Sequence, residues 1–290
     1  MTDAASTTAP ADAHSDPAAS RDGGYLLPIW GLTSREIVRF VRQRSRMIGA
    51  FAQPVIFWFL FGVGLSGSFR MPGTEDGSLS YQEYFLPGVA AMIVLFTSIF
   101  SAISVIQDRN EGFLQGVLVS PVPRLAVVLG KLTGGTLLAG IQALLFLVLA
   151  WGLQTSGLVS TIHWDATPLR WLATTGVLLL TGLGMCALGY LFAWKLDSVQ
   201  GFHAIMSVLL FPMWLLSGAF FPAAGSGWLR WIIAVNPMTY GVAAIRWAMY
   251  PAGSAAVAGL PSLPVSLGVT IAFAAICIAA DVWITTHSRT

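Results

Sequence analysis

Asp108, Arg109 and Glu111 form a short acid–base cluster directly after an uncharged stretch, 85–107. Charged groups so placed make oriented, charge-assisted hydrogen bonds to a facing surface. From Gly112 to Ser120 the chain carries Phe113, Leu114, Val117 and Leu118, and Pro121 and Pro123 end the segment. Prolines stop a helix by removing a donor and clashing with the preceding turn. The spacing predicts a short amphipathic helix, with Asn110 placed to cap it. Such a helix seats in a groove on a soluble partner. A plain turn back into the membrane with a basic flank is the simpler reading of the same residues.

Chemistry within the chain itself has little support. A phosphate-cradling loop requires G-x-x-x-x-G-K-[ST]. Around Gly130 and Lys131, positions 125 and 132 are both leucine. No GxSxG, HExxH or kinase signature occurs. The four histidines, His14, His163, His203 and His287, are scattered, and His203 reads as an interfacial residue at a span end. Cys186 and Cys277 lie in apolar runs without metal-ligand spacing and read as small fillers. Ion-coupled carriers place ionisable groups inside their spans. Here Asp281 is expected near the inner end of the last span, within reach of water. No filter-like loop suggests a channel. Active work would then draw its energy from a partner that touches the chain from the cytoplasm.

The elements that must position these residues follow from composition. Of 290 residues, 56% are hydrophobic and 10% charged, against about 25% charged in soluble domains. That balance predicts a polytopic membrane protein. The net charge of +2 gives no reason to expect nucleic acid. Six spans are expected at about 47–65, 86–106, 132–153, 171–193, 202–217 and 264–285, each near the ~20 residues a crossing needs. With the N-terminus inside, eleven of the fifteen Lys and Arg residues fall on the cytoplasmic side, so both termini are expected there.

Residues 1–30, rich in Ala, Ser, Thr and Asp, read as a disordered cytoplasmic tail. Over 31–46, Arg35, Arg39, Arg42 and Arg46 share one helical face and Ile37, Val38, Phe40 and Val41 the other, with Ser34 as a cap. That predicts an interfacial helix with its basic face toward anionic lipid. Arg124 and Lys131 are expected to anchor the 107–131 loop in the inner headgroups. After the fifth span, 228–237 and 238–250 are each too short to cross, and Asn236-Pro237 breaks them apart. They are expected to dip into the outer leaflet, with Trp228, Trp231, Tyr240, Trp247 and Tyr250 at the interface. The predicted fold is an all-α integral membrane domain, 47–290.

"DRNEGFLQGVLVSPVPRLAVVLGK" resembles the cytoplasmic loop of type-2 ABC exporter permeases, which include daunorubicin-resistance-like, nodulation-factor and polysaccharide exporters. "LSGAFFP" and "WLRWIIAVNPMTYGVAAIR" are similar to that family's second signature. The resemblance covers nearly all of the chain after residue 30. It implies six spans, an interfacial helix and an external re-entrant hairpin between spans 5 and 6. It implies two permease copies driven by two separate ATPase subunits, which bind the ATP and Mg, in a bacterial inner membrane. The coupling helix would lie in 108–124: Asp108, Arg109, Glu111 and Gly112 as contacts, Phe113 and Leu114 as packing residues, Arg124 as a positioning residue. The hairpin, through Gly218, Phe220, Phe221, Pro222, Asn236, Pro237 and Tyr240, would close the exit. The implied substrate is a drug, lipid or glycolipid. A polysaccharide or lipid-linked glycan is the alternative, and a lipid-modifying membrane enzyme is a reading of another class. Phe96, Phe100, Met206, Phe211 and Trp214 could line a path, or equally face lipid or a second copy.

Overall fold

The computed structural model describes residues 24–65, 79–157, 159, 162–164, 166–220 and 227–287, without the side chains of 44–47. Among them there are helices and connecting turns and no strands. In chain order the helices are α1 (Leu26–Arg42), α2 (Arg44–Gly64), α3 (Tyr81–Ser101), α4 (Ile103–Asn110) and α5 (Phe113–Val119). Next come α6 (Arg124–Thr155), α7 (Pro168–Lys195) and α8 (Val199–Trp214), which runs into a π-helical turn, Leu215–Ala219. The last three are α9 (Trp228–Val235), α10 (Pro237–Met249) and α11 (Leu263–His287).

Among the described residues, five stretches are long and apolar enough to cross a membrane: Tyr81–Asn110, Arg124–Thr155, Pro168–Lys195, Val199–Ala219 and Leu263–His287. The first expected span is the shorter apolar helix Ile48–Gly64. At 1.5 Å per residue that covers about 25 Å, less than the ~30 Å hydrocarbon core. Helix starts are capped where side chains allow. Ser80 accepts from the Glu83 amide at 3.1 Å and Ser198 from the Gly201 amide at 3.0 Å. Asn236 accepts from the Met238 amide at 3.0 Å, with Pro237 in the first turn. These caps satisfy amides that lipid cannot.

The middle of the fold is α3, buried along most of its length. It packs against α2, α6 and α7, while α11 lies on α7. Small residues permit these approaches. A Cβ on Gly189 would sit 2.9 Å from the Ile99 backbone, and one on Gly135 would run into Ser101 and Cys186.

Four expectations need correction. The N-terminal helix starts at Leu26, inside the stretch read as a tail, and breaks at Gln43; residues 1–23 lie outside the described residues. Ser34 is therefore internal to α1 and donates to the Gly31 carbonyl at 3.0 Å. The cap position of α5 is Gly112, at φ 76°, in place of Asn110; that left-handed turn is cheap only for glycine. The helix of the third expected span starts at Arg124, because Pro123 rather than hydropathy marks its beginning.

Candidate functional site

The acid–base cluster is resolved into an inward part and an outward part. Asp108 is fully buried. Its carboxylate accepts a bidentate pair from Arg35, both at 2.8 Å, a third bond from Arg39 at 2.8 Å, and one from Lys131 Nζ. Lys131 also donates to Glu36 Oε1 at 2.5 Å and Ser104 Oγ at 3.2 Å. Arg39 continues to Glu111 Oε1 at 3.0 Å. Three acids and three bases are thus shared among α1, α4 with its C-cap residue Glu111, and α6. Asp108 raises the Arg35 pKa further above its ordinary value, chiefly through that hydrogen bond. Bidentate Arg–carboxylate geometry makes such a brace directional.

This corrects the expected lipid-facing role of the basic face. Arg35 and Arg39 turn toward the acids of α4, while Leu26, Leu27, Trp30, Val38 and Val41 are the exposed apolar residues of α1. Arg42 is exposed; the Arg46 side chain lies outside the described residues. Lys131, expected among headgroups, is buried. Arg124 instead donates to the Thr285 carbonyl at 2.5 Å and the Thr286 carbonyl at 3.3 Å, closing the last turn of α11. Arg109 faces the α7–α8 connection. It donates to the Trp194 carbonyl at 2.8 Å, to the Leu196 carbonyl, and to Asp197 at 3.1 Å.

What remains outward is small. The Glu111 side chain is 57% exposed, and Gly112, Gln115, Gly116 and Val119 are exposed. Leu114 is buried, and Phe113 lies beneath the Arg35 guanidinium, 3.8 Å from ring centroid to carbon. The helical phase of α5 thus presents 112, 115, 116 and 119 together, a stripe legible at i, i+3, i+4, i+7. The contact of α1 with α6 also had a signal. Gly130 and Gly134 form a G-x-x-x-G pair, and a Cβ on them would meet Leu32 Cβ at 2.7 Å and Glu36 Cβ at 2.8 Å.

A cavity of about 680 Å³ opens between α1, α2, α3, α6 and α8. Phe57, Phe96, Phe100 and Phe211 line it, with Gln53, Thr97, Ser207 and His203 as polar points. His203 lies against Phe100, 4.8 Å between ring centres. Of the five residues singled out for a path, Phe96, Phe100 and Phe211 reach this cavity. Met206 and Trp214 are buried in the core instead.

At the end of the bundle away from α5, α9 and α10 meet at Asn236-Pro237. Asn236 Nδ2 donates to the Met213 carbonyl at 2.6 Å, and the Tyr240 hydroxyl to the Ala234 carbonyl at 2.8 Å. Trp228 and Trp231 are exposed. Tyr250 is buried, its hydroxyl on the Glu83 carbonyl at 3.2 Å. Arg246 is also buried. Gly218 and Phe220 abut α3; Phe221 and Pro222 lie outside the described residues. Asp281 is fully enclosed, contrary to the expected access to water, and neither carboxylate oxygen has a hydrogen-bond partner.

A helical membrane chain with an internal cavity and a braced loop at one end has the layout of a transporter's membrane subunit. Residues 28–250 match the family described as ABC-2 type transporter. The chain belongs to that family and is a membrane-spanning permease. It is 23% identical over 250 residues to the daunorubicin resistance ABC transporter permease protein DrrB1 of Streptomyces coeruleorubidus, covering 83% of this chain and 81% of the relative. It is 27% identical over 205 residues to nodulation protein J of Rhizobium meliloti, covering 70% and 73%.

Proposed function

We propose that this chain is the permease of an ATP-driven exporter that moves a hydrophobic or amphipathic small molecule or lipid. Two copies would form the pathway, in a bacterial inner membrane with both termini cytoplasmic and six crossings. Two separate ATPase subunits, holding ATP and Mg, would dock on 108–124. The observation that carries this reading is the division of the acid–base cluster. Asp108 locks the loop to α1 and α6, while Glu111, Gly112 and the outward stripe of α5 are left for a partner.

The brace supports a mechanism. A push on α5 would pass through Arg35 and Arg39 into α1, and through Lys131 into α6. Because α1 leads directly into α2, which walls the cavity, loop motion reaches the substrate space. Coupling of this kind requires two arrangements whose balance the partner shifts. Arg109 and Arg124 would tie the same loop to the α7–α8 connection and to α11.

The cavity supports the substrate class. Its volume lies within the ~300–1,000 Å³ of small-molecule sites, and rings with a few polar points suit an amphiphile. A polysaccharide or lipid-linked glycan is the second reading. For a lipid-modifying enzyme, His203 is the one titratable group among the described lining residues, too few for acid–base work.

The test is affinity purification of the chain from its native membrane in mild detergent, with bound proteins identified and ATP hydrolysis assayed. Recovery of a soluble ATPase in equal amount is the expected result. Recovery of the chain alone, without hydrolysis under several extraction conditions, contradicts it.

A further inference from the structure

Small residues hold α7 against its neighbours near mid-length. A Cβ on Gly184 would meet the Phe273 ring of α11 at 3.1 Å, and one on Gly241 of α10 would meet Thr181 at 2.9 Å. Glycines at such crossings let membrane helices approach closely. Nearer the end away from α5, a groove of about 670 Å³ runs between the same three helices.

The α7 wall of the groove is one stripe: Arg170, Ala173, Gly176, Val177 and Leu180. Steps of three and four residues place them on one helical face. From Arg170 to Leu180, at 1.5 Å per residue, the stripe is about 15 Å long. The hydrocarbon core of a bilayer is ~30 Å thick, so the groove is one leaflet deep. Leu263 and Leu267 of α11 and the Trp247 indole of α10 form the other walls. The indole is fixed there, its Nε1 donating to the Pro261 carbonyl at 2.9 Å. Leu172 and Val265 flank the groove and are exposed, so it opens toward lipid. A Cβ on Gly176 would meet nothing within 4 Å. No helix contact calls for glycine there, and glycine is a poorer helix residue than alanine. Its effect is to keep the slot open.

Polarity is ordered along the groove. At its rim Thr167 caps α7, its hydroxyl accepting from the Arg170 amide at 3.4 Å. The Arg170 guanidinium donates across to the Ala248 carbonyl of α10 at 3.4 Å. Among the described lining residues Arg170 is the one charged group, and those from Ala173 to Leu180 are apolar. A cation above an apolar slot one leaflet deep matches the order of a phospholipid, phosphate first and acyl chain below. A guanidinium takes phosphate oxygens as a planar fork, and the start of a helix adds to the attraction for an anion.

We propose that this groove is a binding site for an anionic phospholipid, with the phosphate on Arg170 and one acyl chain laid along Gly176. The chain fills the gap that the side chains of α7, α10 and α11 leave between them. The site shares no helix with the cavity and does not depend on what the protein transports.

The test uses the full chain, purified in detergent and stripped of lipid. Phosphatidylglycerol or phosphatidylcholine with brominated acyl chains is then added back. Bromine quenches tryptophan fluorescence at contact, and the difference between wild type and Trp247→Phe isolates the indole in the groove. Phosphatidylglycerol is expected to quench it saturably, at about tenfold lower mole fraction than phosphatidylcholine, whose own cation competes with Arg170; this is the scale of one hydrogen bond between charged groups. Arg170→Gln should remove that preference. Gly176→Leu, which fills the slot, should abolish the saturable quenching. Quenching that rises in proportion to brominated lipid, equally for both headgroups, is the ordinary lipid annulus and overturns the proposal. So does a groove closed to lipid by a second copy, read as a dimer that Gly176→Leu splits. If Gly176→Leu does not fold, Arg170→Gln decides alone, since it changes only the rim.

Discussion

Asp108 and Glu111 stand three residues apart and do opposite work. Asp108 is buried beneath Arg35, Arg39 and Lys131, so Asp108→Asn takes the shared carboxylate from three cations and leaves Lys131 only Glu36 and Arg39 only Glu111 as acids. Breaking a buried ion pair from one side costs about 3–5 kcal/mol. Thermal denaturation in detergent should show that loss, whereas Glu111→Gln, at an exposed site, should stay within about 0.5 kcal/mol of wild type. Equal stability of the two variants would contradict the division. The sequence marked both residues as one charged cluster. It could not separate them, because the partners of Asp108 on α1 come from residues about 70 positions earlier. Periodicity assigns a residue to a face of its own helix but says nothing of what faces it. Asp281 shows the same limit: its place near a helix end suggested water, and packing by α7 enclosed it.

At the scale of elements, punctuation was readable and packing was not. Prolines and glycines located α5, α9 and α10, since they act on the local backbone. The start of α1 was hidden because polar tail composition runs close to Leu26 and Pro28 falls in the first turn, where proline is tolerated. The π-turn left no sequence trace beyond Gly218. The contact of α1 on α6 depends on Gly130 and Gly134, and Thr33 Oγ1 donates to the Gly130 carbonyl at 3.1 Å. Gly134→Leu would push α1 off and pull Glu36 away from Lys131. Overpacking of this kind costs about 1–3 kcal/mol, read as a lower melting temperature of the purified chain. An unchanged melting temperature would mean that α1 is not seated on α6.

Across the whole molecule, the cavity lies where α1, α2, α3, α6 and α8 meet. Its existence was not legible: Phe96, Phe100 and Phe211 have the same spacing and chemistry as Met206 and Trp214, and only the packing of α2, α3 and α8 separates them. Ser207→Trp adds bulk at the wall. Transport should fall about tenfold, equivalent to 1.4 kcal/mol, with ATP hydrolysis retained; full transport would place the path elsewhere. The central claim is that energy enters through the outward face of the α4–α6 loop. The measurement that tests it most directly is recovery and hydrolysis rate of the ATPase bound to Glu111→Lys, compared with wild type at equal membrane content. The expected result is that the ATPase is lost or its hydrolysis uncoupled while the chain inserts and melts normally. Undiminished recovery and substrate-linked hydrolysis in Glu111→Lys would contradict it.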